Sequence, residues 1–339
     1  MIDIRSDTVT KPSVRMLEIM MSAKTGDDVF GEDETANLLQ KKCAELSGKE
    51  DSLFVPTGVM GNQLAIKCHT IPGDEVIVER ESHILNYETA APSVISNVQL
   101  LPVNGDYGVM NKEEIAKHIR TSEYYFPVTR LICIENTHNR AGGTIQPIDS
   151  IKSVSSFAKD KGIKTHLDGA RIFNASMKTG ITLKEYASYF DSVSFCFSKG
   201  LGCPVGSILC GSREFISTAR KWRKILGAGM RQVGILAAAA IYALENNIQR
   251  LSEDNEKAFL FANEISKIPG IYVDMKSVQT NIVIFHTDVF SKNELIDKLK
   301  SKGILVSSGS YNFVRAVFHM DVSMKETEES IKIIKSIFN

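Results

Sequence analysis

The sequence predicts an α/β protein, with a mostly parallel sheet covered by helices and a smaller α+β unit after it. Two observations predict this. Up to about Asn247, short apolar runs ending in polar or glycine-containing turns alternate with helical patterns. Beyond that point, short strand-like runs are spaced between amphipathic helices. Continuous apolar runs suit strands buried on both faces, as in helix-covered sheets.

The elements follow in chain order. Asp33 to Leu46 reads as a helix with Gly48 beyond its end. Val59 to Cys68 is helical in character and follows Pro56-Thr57-Gly58. Strand-like runs stand at Glu75 to Val78, Val98 to Val103 and Leu131 to Ile134. Asp149 to Lys161 puts Ile151, Val154, Phe157 and Ala158 on one face and stops at Gly162. Gly162 to Leu167 leads into Asp168, Ser192 to Phe197 leads into Ser198-Lys199, and Val205 to Cys210 ends at Gly211. Met230 to Asn246 is rich enough in Ala and Leu to be a largely buried helix.

The second unit is expected to hold a helix at Leu251 to Ile268, strands at Tyr272 to Met275 and Asn281 to Phe285, and a helix at Lys292 to Lys302. Strands at Ile304 to Ser307 and Phe313 to Phe318 come next. A last helix starts at Ser323, where Ser-Met-Lys-Glu has capping-box spacing. The expected division is residues 1–248 for an N-terminal segment with a large cofactor-binding domain, and 249–339 for a small C-terminal domain. A chain of 339 residues is long enough for two such domains.

Composition excludes several classes. Forty basic residues balance forty acidic ones, so no overall field favours nucleic acid or a membrane surface. The start, Met1 to Val14, lacks an apolar leader region, and Leu236 to Ala240 is far too short to span a bilayer. None of the six cysteines forms a Cys-x-x-Cys pair, so no zinc ribbon or thioredoxin-type site is expected, and no residue is assigned as a metal ligand. Several lie in apolar runs, where Cys acts as a small core residue. The expectation is a reduced, cytoplasmic protein.

Two residues carry the chemistry. Asp168 stands where a strand ends, the place at which open α/β sheets present functional groups. It could equally cap the next turn. Lys199 follows another strand, between Ser198 and Gly200. A lysine on such a turn is commonly solvated, but a desolvated one loses its proton more easily and serves as a Schiff-base nucleophile. The two lie about one strand–helix–strand unit apart and can face one cofactor. An Asp for a pyridinium nitrogen with a Lys Schiff base is the pairing expected for pyridoxal phosphate. Thr57 and Gly58, at a helix start, are candidates for its phosphate, although Pro-Thr-Gly is also a common turn. His83 is a candidate to stack on the ring, although most isolated histidines are structural.

At this point the residues resemble a family. Arg5 to Pro12 (R-S-D-T-V-T-K-P), Val29 to Asp33, Glu135-Asn136-Thr137-His138, His166 to Arg171 and Ser198 to Gly202 look like the L-threonine aldolases, as does Gly229 to Gln232. After residue 250 the resemblance rests mainly on Phe313-Val314-Arg315. It implies the aspartate-aminotransferase-like fold type I. It also implies pyridoxal-phosphate-dependent cleavage of L-threonine or L-allo-threonine to glycine and acetaldehyde, in threonine catabolism and glycine biosynthesis. Lys199 resembles the Schiff-base lysine, Asp168 the ring-nitrogen partner, Arg171 the partner of the phenolate oxygen and a substrate contact, His83 the ring stacker, and Thr57 with Gly58 the phosphate loop. Lys224 and Arg231 resemble residues reaching the phosphate of a neighbouring subunit, though each could be a solvated helix end. Ser6 and Arg315 resemble the holders of the substrate carboxylate, a task that suits a bidentate Arg. Tyr87 matches a substrate-side tyrosine, though packing could also explain it. His83, or a water that it positions, is the leading general base. The resemblance further implies a homo-oligomer, a homotetramer with active sites at a dimer interface.

Two departures stand out. Tyr125 occupies a position where relatives often carry a substrate-side histidine, and Val128 one where they carry Arg. Ala228 replaces a common Gly. The rival readings are another reaction of the same cofactor, such as β-elimination or transamination, a non-catalytic homologue, and a nucleotide-binding α/β protein. The last lacks any Gly-x-Gly-x-x-Gly after a strand and any Walker loop.

Overall fold

The structure, a computed structural model, describes residues 1–338. The chain opens with a two-residue strand, β1 (Ile2–Asp3). The main sheet has seven strands: β2 (Asp51–Val55), β3 (Glu75–Glu79), β4 (Gln99–Val103), β5 (Thr129–Glu135), β6 (Lys164–Asp168), β7 (Ser192–Cys196) and β8 (Ser207–Gly211). Their spatial order is β2-β8-β7-β6-β5-β3-β4. The neighbours from β7 to β4 pair in parallel, while β8 runs antiparallel to both β2 and β7. Six strands therefore share one direction, and Val55, Glu135, Asp168 and Cys196 end at the same edge. β3, β7 and β8 are buried along their whole length, as the apolar runs predict.

The helices cover the sheet much as expected. Asp33 caps the helix Glu34–Ser47, which ends at Gly48 in the left-handed region with φ 66°. The helix Ile148–Asp160 buries Ile151, Val154 and Ala158. The helix expected from Met230 begins only at Gly234. Asp33 explains the later start. Its carboxylate accepts the Gly234 N–H at 2.8 Å as well as the Ala36 N–H at 2.9 Å, and Val233 N bonds back to Arg231 O. The preceding segment is thereby held as a bend.

A second core lies beneath four short strands, β9 (Ile271–Val273), β10 (Ile282–Thr287), β12 (Ser307–Ser308) and β13 (Val314–Val317). The strand expected over Ile304 to Ser307 is split. Its first part, β11 (Ile304–Leu305), pairs in parallel with β1, and β12 pairs with β13. Buried Ile2 and Ile4 thus join Phe261, Phe285 and Phe318 in this core, each such burial being worth roughly 1.5–3 kcal/mol relative to exposure. Ser323 and Glu326 form the expected capping box at the last helix. All six cysteines are free thiols. Among the described residues no helix is long and apolar enough to cross a membrane.

Candidate active site

The site gathers at the carboxyl edge of β2, β5, β6 and β7. After β2, Thr57 caps the helix Gly58–His69 by accepting the Met60 N–H at 3.1 Å. Only a glycine suits position 58, because a Cβ there would stand 2.8 Å from Cys196 Sγ at the end of β7. The unsatisfied N–H groups of the first turn are left facing the edge, which favours an anion. After β7, the chain turns through Ser198-Lys199 and bonds Gly202 N to Lys199 O at 2.8 Å.

Thr57, Gly58, His83, Asp168, Arg171 and Lys199 line one cavity of about 210 Å³. A larger surface cleft of about 730 Å³ runs past Gln40, Lys49, Lys184 and Arg220. It mixes both charge signs but holds none of the candidate residues of the motifs, which the smaller cavity gathers. Asp168 is buried, with Oδ2 accepting from Asn62 Nδ2 at 2.7 Å and Oδ1 from Ala170 N at 3.1 Å. Half-buried Lys199 reaches no carboxylate; its amine bonds only Cys196 Sγ, at 3.3 Å.

His83 begins a one-turn helix, His83–Asn86. Its backbone N–H donates to Glu135 Oε2 at 2.6 Å, and its Nδ1 lies 2.9 Å from Glu88 Oε1. Burial alone pulls the imidazole pKa down. The hydrogen bond to Glu88 and the charges of Asp168 and Glu135 outweigh it, so the pKa is raised above its ordinary value.

Arg171 is buried, and it is not free to serve a ligand with all of its donors. Its Nε and Nη2 are bound to Asp7, at 2.7 and 2.6 Å. Arg315, on β13, does not line the cavity. It bonds Asn139, which does, at 2.8 Å, and the Arg5 carbonyl at 3.2 Å. Its Nε is buried without a partner, and none of the ion pairs among the described residues includes it. Burial, and next the charge of Arg171, lower its pKa to about 10. Such an arginine is short of an anion.

The remaining expected residues lie outside this cavity. Ser6 caps the turn Asp7–Val9, accepting from Thr8 N and Thr8 Oγ1 at 3.3 and 2.8 Å. Tyr87 is exposed, its ring 5.4 Å from that of His83 and beneath the Arg140 guanidinium. Lys224 is exposed, and Arg231 is exposed and paired with Asp27 at 2.8 Å. Tyr125 is 64% exposed and touches only the rings of Tyr124 and Phe126 among aromatic partners. Residues passed over by the sequence reading complete the site. Asp7, Glu135 and Asn139 lie in or beside the motifs Arg5 to Pro12 and Glu135 to His138. Asn62 lies inside the helix Gly58–His69 and Glu88 in the bend after His83–Asn86, and neither stands in a pattern with a signal of its own.

Comparison with known proteins agrees with this architecture. Residues 3–288 match the beta-eliminating lyase family. The chain is 41% identical to the low specificity L-threonine aldolase of Escherichia coli K12 over 97% of each chain. It is also 41% identical to a probable low-specificity L-threonine aldolase of Arabidopsis thaliana, over all of this chain and 97% of that one. The structure of Leishmania major threonine aldolase superposes with a TM-score of 0.86, covering 100% of both chains at 19% identity. The aspartate-aminotransferase-like fold type I expected from the motifs is therefore the fold observed, and the chain belongs to the beta-eliminating lyase family.

Proposed function

We propose that this chain is a pyridoxal-phosphate-dependent carbon–carbon lyase that cleaves L-threonine, L-allo-threonine and related β-hydroxy-α-amino acids to glycine and an aldehyde. The observation that carries the reading is the shared cavity of Lys199 and Asp168: an amine without a carboxylate partner and a buried carboxylate, both beside a helix N-terminus. That donor set fits the cofactor. Lys199 would hold its aldehyde carbon, Asp168 its protonated ring nitrogen, Thr57 and Gly58 its phosphate, His83 its ring face, and Arg171 its phenolate oxygen.

When bound, the cofactor supplies an electron sink for the pair released as the Cα–Cβ bond breaks. The protein does the rest. Arg315, short of an anion, holds the substrate carboxylate with help from Ser6. The Asp7 carboxylate balances Arg171, so Arg315 keeps its charge for the substrate. His83 takes the β-hydroxyl proton, and the Glu88 carboxylate balances the positive charge that the imidazole gains. Tyr87 borders the substrate side. The relatives named as aldolases support aldehyde release over β-elimination or transamination.

The same reading includes a cytoplasmic homotetramer acting in threonine catabolism and glycine formation, with Lys224 and Arg231 reaching a neighbouring subunit's phosphate. Apolar Val14, Met21 and Phe30 stand 74%, 82% and 74% exposed on the single chain, a surface that suits burial against another copy. The test feeds purified protein L-threonine and L-allo-threonine and measures acetaldehyde, ammonia and keto acid. Aldehyde with glycine is expected. Lys199→Ala should abolish both the turnover and the visible absorbance of the lysine-bound cofactor; ammonia as the product, or a normal absorbance band in the variant, would overturn the reading.

A further inference from the structure

Asn62 is buried one turn into the helix Gly58–His69 and uses every hydrogen-bonding position of its amide. Its Nδ2 donates to Asp168 Oδ2 at 2.7 Å and to Glu88 Oε1 at 2.8 Å. Its Oδ1 accepts from Ser194 Oγ at 2.9 Å and faces His166 Nε2 at 3.1 Å. The amide cannot be turned over, because ionised carboxylates only accept.

This orientation fixes the protons behind it. His166 Nε2 must carry the hydrogen that Asn62 accepts. His166 Nδ1 is then an acceptor for Ser192 Oγ at 2.9 Å, and Ser192 Oγ accepts in turn from His69 Nε2 at 2.8 Å. Burial lowers the pKa of His166 to about 4 and that of His69 to about 3, so both rings are neutral at pH 7. A chain of neutral donors therefore runs from the far end of the helix, every hydrogen pointing toward Asp168 and Glu88.

We propose that Asn62 is a positioning residue that holds the Asp168 and Glu88 carboxylates side by side, so that one faces the cofactor's ring nitrogen and the other faces His83. Burial and mutual repulsion disfavour two adjacent carboxylates, and the one amide offsets both by giving each a hydrogen bond. The groups facing the pair are His83 on its short helix, Cys133 and Glu135 on β5, His166 on β6, and Lys199 and Arg171 around the cavity. Of these only His83 hydrogen-bonds Glu88, on the oxygen that Asn62 also reaches; Gln63 Nε2 bonds its other oxygen at 2.6 Å. The proposal rests on the lyase reading above for its consequence in turnover, and on the hydrogen bonds alone for the placement of the two carboxylates.

The test compares wild-type holoenzyme with Asn62→Leu, nearly equal in size. Turnover is expected to fall about 10–100-fold, the usual cost of losing an outer-shell partner, with a smaller change in KM. The acid limb of the kcat profile, set by His83, is expected to move to lower pH, because Glu88 without the amide is a weaker partner for the imidazole. At neutral pH, infrared difference spectra should show a protonated carboxyl in the variant that vanishes when Glu88→Gln is added. A folded variant with an unmoved pH profile and no carboxyl band overturns the proposal, whatever its turnover. Should Asn62→Leu fail to fold, Asn62→Ser keeps one donor where the carboxylate pair has two, and the same spectral comparison is made with it. A wild-type protein without aldolase activity would sink the lyase reading, while the infrared comparison would still decide the role of Asn62.

Discussion

Arg171 grips Asp7 through two hydrogen bonds of 2.7 and 2.6 Å, although the residues stand 164 positions apart in the sequence. Asp7 also accepts from Asn281 Nδ2 at 3.3 Å, where β10 begins. One buried carboxylate thus ties the amino-terminal segment, the loop after β6 and the second core into one structure.

Removing one partner leaves the other buried and uncompensated, which costs about 3–5 kcal/mol. Asp7→Asn is expected to lose stability of that order in thermal or denaturant unfolding. Burial raises the Asp7 pKa, but the charges and hydrogen bonds of Arg171, together with Lys199 and Arg315, outweigh it and hold the carboxyl well below its ordinary range. A depressed carboxylate pKa contributes stability that is complete above the unfolded value, near 3.9, and is lost as pH falls through the folded value. The difference between wild type and Asp7→Asn should therefore be flat above about pH 5 and shrink in more acid solution. A gap that stays constant down through pH 3 would show that Asp7 acts by shape and not by charge.

The Glu88–His83 contact gives a second expectation, of opposite sign. The folded pKa of His83 is raised, so its contribution to stability is complete below the unfolded value, about 6.5, and is lost as pH rises through the folded one. Glu88→Gln removes the hydrogen bond to the charged imidazole and must lower that pKa. With neutral His83 acting as base, the acid limb of kcat moves to lower pH in Glu88→Gln, while maximal turnover falls. Histidine NMR titration supplies the check without turnover. An unmoved His83 resonance midpoint would remove Glu88 as its partner.

The sequence reading reached the strands and their ends because burial on both faces writes itself as continuous apolar runs. Asp168 and Lys199 were legible for the same reason: each directly follows such a run. Asn62, Glu88 and Asp7 were not legible in this way. Their function depends on which polar residue the fold brings opposite them, and neither Asn62 in a helix nor Asp7 in a turn changes any periodicity. The bend before Gly234 was equally hidden, because it is imposed by Asp33 from the other end of the sequence. Arg171 shows the reverse case, in which the motif was visible but its commitment to Asp7 was not.

Lys224 and Arg231 lead to a prediction about assembly. Both are exposed on the single chain, and Arg231 is held only by a partly exposed pair with Asp27, worth at most about 1 kcal/mol. Neither lines the cavity of its own chain. If they serve the phosphate of a neighbouring copy, a subunit lacking Lys199 can still lend both residues, and a subunit lacking Arg231 can still lend its intact lysine site. Lys199→Ala and Arg231→Ala proteins, each inactive or nearly so alone, should regain activity when unfolded together and refolded as mixed oligomers. With random pairing across a two-fold interface, about half of the dimers are mixed, and each carries one site with both residues intact. Recovery near one quarter of the wild-type activity is the expected result. No recovery, in mixtures shown to contain both chains in one oligomer, would place Arg231 outside the active site of its neighbour.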